Sequence, residues 1–288
     1  MNALLADLLR LLELERIEIN LFRGESRDIG SAQVFGGQVL GQALVAASAT
    51  IDGRDVHSLH AYFLRRGDFN APIVYEVDRS RDGGSFSSRR VVAIQHGEQI
   101  FHMSASFQKP EAGLDHQVSA PAVPPPESLP DHMAALRKRL DGLPPERRRL
   151  WESERPWEFR PVEPLPDKPQ PADAVRHVWF RLTQRCPDDP TLHRCLLAYL
   201  SDFHLLETAL LPHGVSHFDG RLTIASIDHA MWFHRPARID DWVLYVLSSP
   251  SASGSRGFAT GRIYDRDGRL VASVAQEGLM RWRDPSAT

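Results

Sequence analysis

Cysteine is nearly absent. Cys186 and Cys195 are the only two in 288 residues. Two are too few for a disulfide framework, and their spacing matches no zinc-binding pattern. Both are expected to be buried thiols. Long apolar runs are missing as well. No stretch of 18 apolar residues occurs, so no membrane-spanning helix is expected. Asp7, Glu13 and Glu15 interrupt the leucines near the start and no small-residue cleavage site follows, which argues against a signal peptide. Asp284-Pro285-Ser286-Ala287-Thr288 is not a peroxisomal address, and a reducing cytoplasm is the expected location. Neither sign of charge dominates. The formal net charge is −3, which gives no general attraction to nucleic acid or to an anionic membrane. Thirteen histidines are scattered without HExxH or comparable ligand spacing, so no metal site is expected. Ser253-Gly254-Ser255-Arg256-Gly257 is small and flexible but is not a P-loop.

What is present is globular: 42% apolar and 25% charged residues. Leu4, Leu5, Leu8, Leu11 and Leu12 recur at helical spacing and predict an amphipathic helix over residues 3–14. Residues 17–22 alternate as a strand. Residues 35–47, with Gly37, Gly41, Ala43, Ala46 and Ala47, carry no charge and predict a buried helix whose backbone something approaches closely. Alternation then predicts strands over 57–64, 73–77, 87–95 and 100–108. Asp82-Gly83-Gly84 and His96-Gly97-Glu98 are the turns between them. Fourteen of the 21 prolines fall between Pro110 and Pro171. That interval reads as a surface linker with a short helix over 131–140. The order then repeats: a strand over 175–182, an apolar helix over 191–211, and strands over 224–233, 242–247, 256–264 and 270–281.

This is an internal duplication carried by element order. His60-Ala61-Tyr62-Phe63 precedes His229-Ala230-Met231-Trp232 by 169 residues, and the last hairpins differ by 170 to 171. Each unit has one apolar helix that a single curved sheet covers on one side. Two units joined sheet edge to sheet edge cover the rest. The expected fold is α+β: a double hotdog, with an N-terminal unit over 1–109, the linker over 110–174 and a C-terminal unit over 175–288. Two separate α+β domains are the alternative.

Four polar residues stand in apolar rows or in an apolar helix. Ser226 and Asp228 share an alternating register with Ile224, Ala230 and Trp232, and buried polar groups need partners or have work to do. Ser226 is either a strand serine bonded to backbone or a hydroxyl that positions water. No G-x-S-x-G surrounds it. Asp202, in Tyr199-Leu200-Ser201-Asp202-Phe203, is either a helix N-cap or a carboxylate that takes a proton. Gln276 continues the row Leu270, Ala272, Val274. It is either a satisfied strand amide or an amide that orients water. His57 matches Ser226 at the 169 offset. His229 and His234 are expected to make structural hydrogen bonds. Among the arginines near strand ends, Arg65, Arg66, Arg235 and Arg256 are candidates to meet phosphates at a pocket mouth.

Four segments together resemble the type II acyl-CoA thioesterase family, and the likeness runs from about Leu4 to Arg281. They are Gln33-Val34-Phe35-Gly36-Gly37-Gln38, the stretch from His60 through Asp68, the stretch from Ile227 through Pro236, and Gln276-Glu277-Gly278. The resemblance implies a double hotdog fold, hydrolysis of medium- and long-chain acyl-CoA, no metal or organic cofactor, and a homodimer or homotetramer. It implies that Asp202, Ser226 and Gln276 form the catalytic set, with Ser226 standing where bacterial members often have Thr. His57 is a secondary candidate. Gly37 is another, at a helix start whose N–H groups would stabilise an oxyanion. The acyl chain is expected along the small-residue face of 36–47. Arg66 departs from the Pro that relatives carry there. An enoyl-CoA hydratase on the same fold would need a paired acid and base, and Asp228 and His229 lie on opposite faces of a regular strand. A non-catalytic acyl-CoA-binding protein would leave acyl-CoA intact.

Overall fold

The computed structural model describes residues 2–31, 33–131, 133, 136–137, 140, 143–164, 166 and 168–283. The first helix, α1 (Ala3–Leu12), is capped by the Asn2 side chain and buries Leu5, Leu8, Leu11 and Leu12. That apolar stripe docks it on the body, at about 1.5–3 kcal/mol per fully buried leucine. The strand expected over 17–22 is a hairpin instead: β1 (Glu15–Glu18) and β2 (Leu21–Gly24). The chain reverses at Ile19-Asn20, where Asn20 supplies turn chemistry in the middle of the alternating run. Helix α2 (Gly36–Ser48) buries ten of its residues. It sits inside a curved sheet of β3 (Asp55–Phe63), β4 (Ile73–Asp82), β5 (Phe86–Gln95) and β6 (Glu98–Gln108). His96 and Gly97 both have positive φ in the β5–β6 turn, as a two-residue hairpin turn requires.

The proline-rich interval does more than link. It contributes α3 (Pro145–Glu152) and β7 (Trp157–Pro161), and β7 pairs with β8 (Val175–Leu182) at the sheet edge. An edge tolerates the terminal Pro161, which has no N–H to give. The short helix expected over 131–140 falls largely on residues outside the described set. The second half then places α4 (Pro190–Ser201) inside β9 (Leu222–Ser226), β10 (Asp228–Phe233), β11 (Val243–Ser253), β12 (Arg256–Asp265) and β13 (Leu270–Trp282). The helix expected over 191–211 is two helices. After α4 the chain unwinds, His204 takes a left-handed φ of 65°, and a 3-10 helix runs from Leu206 to His213.

Among the described residues the thirteen strands form one antiparallel sheet, in the order β1-β2-β4-β5-β6-β3-β10-β13-β12-β11-β8-β7, with β9 also on β13. The halves join through β3 and β10, and their helices pack together inside. A Cβ on Gly37 would lie 2.2 Å from the Tyr199 carbonyl oxygen, and one on Gly41 3.3 Å from that of Cys195. The small residues of α2 therefore admit the backbone of α4. This overturns the acyl tunnel expected along 36–47, because a helix already fills that face. The result is the double hotdog expected from the sequence.

The seam also corrects the repeat offset. Ser58 pairs with Trp232, His60 with Ala230 and Tyr62 with Asp228. This ladder is symmetric about His60 and Ala230 only if equivalent residues lie 170 apart. Burial agrees: Leu59 and Ala61 face inward in one half, His229 and Met231 in the other. A slip of one residue exchanges inner and outer faces, so the 169 offset would match inward positions with outward ones.

Candidate active site

Asp202 does not cap a helix N-terminus. It is the last, C-terminal cap residue of α4, just before the chain bends at His204. The helix start that meets it belongs to the other half. A Cβ on Gly36, the first residue of α2, would come within 2.8 Å of Asp202 Oδ2. Only glycine lets the carboxylate lie against that end, where the helix dipole favours negative charge. Phe35 offers α2 no side-chain cap, and Gln38 and Val39 return their N–H groups to the Phe35 carbonyl. Among the described residues the N–H groups of Gly36 and Gly37 make no hydrogen bond, so they are available to an oxygen at the site.

Gln276, on β13, is 1% exposed. Its Nε2 donates to Asp202 Oδ1 at 2.7 Å and lies 3.2 Å from His229 Nδ1. The carboxylate fixes this orientation, since Oε1 turned toward it would set two acceptors against each other. Oε1 is buried and has no hydrogen-bond partner among the described residues.

Ser226 closes the site from β9, opposite Gly278 of β13. A Cβ on Gly278 would strike Leu206 of the 3-10 helix, so this pair faces the interior. Directly opposed residues share a face, and Gln276 lies two residues along the same face. The two Cβ atoms are then a diagonal pair roughly 7–8 Å apart, which leaves room for a small molecule between the side chains. The single strand expected over 224–233 is interrupted at Ile227. The pairing to β13 shifts by one there, which is a β-bulge that reverses the faces. Beyond it, Asp228 leaves the row of Ser226 and His229 enters it. The Asp228 Oδ1 accepts the Glu277 N–H at 2.6 Å, filling the gap in the ladder, while burial raises its pKa. Its assignment to a structural role stands.

His229, expected only to make structural hydrogen bonds, adjoins the candidate set. It is fully buried and stands 3.7 Å from Asp202 Oδ1. The signal is the inward apolar row Leu59, Ala61, Phe63, which matches His229, Met231, Phe233 at the 170 offset.

His57 is not brought to this site. Its Nε2 lies 2.8 Å from Ser106 Oγ, its ring meets Phe86 edge-on, and burial lowers its pKa. It occupies the first-half bulge, between Val56 and Ser58, and so corresponds to Ile227. Phe63, not His57, adjoins the site, through its N–H to the Ile227 carbonyl. Six residues of strand separate the two by roughly 20 Å. The true counterparts of Ser226, His229 and Gln276 are Val56, Leu59 and Ala105, paired as Val56 with Phe107 and Leu59 with Ala105. All three are apolar.

The arginines divide. Arg65 and Arg66 follow Phe63 and are exposed near the site. Arg65 is bound to Glu98 at 2.8 Å. Arg256, beside Gly257 in the ladder to Gly278, pairs with Glu277 at 2.8 Å. Arg235 lies past the far end of β10, held by Asp115 and the Leu270 carbonyl. By strand rise it is roughly 25 Å away, which removes it as a contact for a ligand at Asp202. Both cysteines are buried. Burial pushes the Cys195 thiol up to about 12 and that of Cys186 to about 11, so neither is a nucleophile at neutral pH. Among the described residues no cluster of His, Cys, Asp and Glu has the make-up of a metal site.

A cavity of about 400 Å³, within the range of ligand pockets, begins at the residues that follow Asp202 in the chain. Phe203 and His204 form its near wall. Trp151, Trp157 and Phe159 come from the proline-rich interval, Ile29 precedes α2, and Leu210 and Leu211 come from the 3-10 helix. Its lining is partly polar: Arg155, Glu163 and Asp173 contribute, and Glu207 lies 3.1 Å from Arg176 and 2.9 Å from His217. Burial works to raise the Glu207 pKa, but the His217 and His204 partners outweigh it and hold the carboxyl well below the usual range.

Comparison with known proteins gives a consistent family. Residues 150–279 match the family model described as acyl-CoA thioesterase. Residues 23–108 match the acyl-CoA thioesterase N-terminal domain. The chain is 43% identical over 288 residues to acyl-CoA thioesterase 2 of Haemophilus influenzae, covering 99% of this chain and 100% of the relative. It is 42% identical to human acyl-coenzyme A thioesterase 8, over 94% of this chain and 87% of the relative. Among solved structures, the acyl-CoA thioesterase II TesB2 from Mycobacterium marinum is 45% identical. It superposes with a TM-score of 0.77, covering 97% of this chain and 99% of that one.

Proposed function

The chain belongs to the acyl-CoA thioesterase family and hydrolyses acyl-CoA thioesters, and from that premise we propose that it does so with a water held by Asp202, Gln276 and Ser226. The observation that carries this reading is the Gln276 amide. Its Nε2 is committed to Asp202, so the buried Oε1 is left to accept a hydrogen from water. The second hydrogen of that water goes to the Asp202 carboxylate, and the Ser226 hydroxyl gives a third contact.

The water oxygen adds to the thioester carbonyl carbon while Asp202 takes its proton. The carbonyl oxygen becomes an oxyanion opposite the N–H groups of Gly36 and Gly37 at the α2 start. The intermediate then expels the CoA sulfur, and the proton on Asp202 passes to it. The products are the fatty acid and CoA thiol. The acyl chain lies in the cavity behind Phe203, lined by Trp157, Phe159 and Leu210. This fits medium and long chains. Arg66 and Arg256, near the mouth, are the arginines that meet the CoA phosphates.

An enoyl-CoA hydratase would use a histidine that reaches the substrate. His229 is fully buried, with both ring nitrogens within hydrogen-bond distance of protein atoms, which favours hydrolysis. The unpaired buried cysteines fit a reducing cytoplasm. The family resemblance supports a homodimer or homotetramer, and sedimentation tests it. The three units, residues 1–109, 110–174 and 175–288, are proposed as N-terminal hotdog, connector and C-terminal hotdog.

The water route is tested in ¹⁸O-labelled water under single-turnover conditions, with enzyme in excess. The label is expected in the fatty acid, with none in the peptide containing Asp202 and no acyl group on Ser226. Label in Asp202 would show that the carboxylate attacks as a nucleophile. An acyl-Ser226 adduct would show the same for the hydroxyl.

A further inference from the structure

His229 is in no direct position to touch a substrate, yet its hydrogen bonds decide how Gln276 is presented. The Ser201 hydroxyl donates to the Ala198 carbonyl at 2.9 Å. Having spent its only hydrogen, Ser201 Oγ can only accept from His229 Nε2, 3.0 Å away. His229 therefore carries a proton on Nε2. On the other side of the ring, Gln276 Nε2 has one hydrogen on Asp202 Oδ1 and its second directed at His229 Nδ1. That contact is a hydrogen bond only if Nδ1 is bare. Both ends thus require one state, a neutral ring protonated at Nε2. The Ser201 end is itself anchored, since the Tyr245 hydroxyl donates to the Ser201 carbonyl at 2.9 Å.

We infer that His229 is a positioning residue for thioester hydrolysis, holding the Gln276 amide with Nε2 toward Asp202 and Oε1 toward the water. This rests on the reading of Asp202 and Gln276 given above. Without the ring nitrogen, the second Nε2 hydrogen is buried and unsatisfied. The amide is then held by the Asp202 bond alone, and Oε1 is less firmly fixed toward the water. The first half shows what the site is without this device. Its counterpart is Leu59, opposite Ala105, so an apolar residue fits this place in the sheet.

The test compares His229→Leu, which copies the first half, with His229→Asn, whose Oδ1 stands where Nδ1 accepts. Thiol release from acyl-CoA should fall in kcat by ~10–100-fold for His229→Leu, the scale of cost for misplacing a reacting group, with KM changed less than about threefold. His229→Asn should recover most of the loss. In ¹⁵N-labelled wild-type enzyme, the His229 ring should show an unprotonated Nδ1 and a protonated Nε2. Wild-type kcat in a folded His229→Leu, or a proton on Nδ1, would overturn the inference. If His229→Leu does not fold, the ring tautomer and the His229→Asn kinetics still decide it: Nδ1 protonated, or kcat in His229→Asn reduced as far as in a nonfunctional enzyme, counts against it. Asp202→Asn is assayed in parallel. Full activity there would remove the underlying site reading, whereas its loss together with an unaffected His229→Leu would remove only the role of His229.

Discussion

At the scale of single residues, the site is built by what glycine lacks as much as by what the polar groups supply. Gly36 lets Asp202 reach the start of α2, and the contact is tight on both sides. A Cβ there would also come 3.1 Å from the Phe63 ring. In Gly36→Ala the carboxylate must move by several tenths of an ångström. The expected result is a kcat lower by ~10–100-fold, the scale of cost for misplacing a reacting group, with only a small change in Tm. Steady-state thiol release and a thermal melt check both, and an unchanged kcat would contradict the tight contact. Asp202, Ser226 and Gln276 were all legible in the sequence, because each is a polar residue in an apolar row or helix. Their partnership was not. Nothing local says that the amide of Gln276 points its nitrogen at residue 202, 74 positions away. Nor does a glycine announce that the atom it makes room for is a carboxylate oxygen.

At the scale of elements, the strands and the two core helices follow from periodicity, and the errors fall where one residue breaks it. The bulge at Ile227 sends Asp228 out and His229 in, so a reading by strict alternation selects the wrong neighbour of Ser226. The shared dipeptide of His60-Ala61 and His229-Ala230 suggests 169 and hides the 170-residue offset. The helix expected over 191–211 breaks because His204 takes a left-handed φ, a conformation uncommon in any residue but glycine. The start of α4 depends on a buried ion pair. Asp240, whose side chain is fully buried, accepts from Arg238 at 2.7 Å and from the Cys186 N–H at 2.7 Å. The next residue back from it, Ile239, donates to His193 in α4. Burial works to raise the Asp240 pKa, but Arg238 and the Cys186 N–H outweigh it and hold it low. A depressed carboxyl pKa contributes stability that is present above the unfolded value of about 3.9 and lost as pH falls through the folded one. Asp240→Asn should therefore cost about 2–3 kcal/mol at pH 7, somewhat under the figure for a fully buried pair because Arg238 keeps some contact with water. That deficit should shrink as pH drops below 4. Denaturant melts at pH 7 and pH 3 measure it, and a deficit that is the same at both would contradict the assignment.

At the scale of the molecule, the candidate site draws on both halves of the duplication. The second half holds Asp202, Ser226, His229 and Gln276, while the places that match Ser226, His229 and Gln276 in the first half are apolar. Yet the first half is not merely a wall. It supplies Gly36, Gly37 and the start of α2, and the proline-rich interval, which reads as a connector in the sequence, lines the cavity with Trp151, Trp157 and Phe159. No segment taken alone contains this arrangement, and so pattern reading could identify the pieces but not the junction. The most direct test is a thiol-release assay over acyl-CoAs of graded chain length, with wild type and Asp202→Asn measured together. The account expects turnover on medium and long chains that falls by ~100-fold or more in Asp202→Asn at every length, the least expected for losing a general base. Turnover in Asp202→Asn close to that of wild type would contradict it.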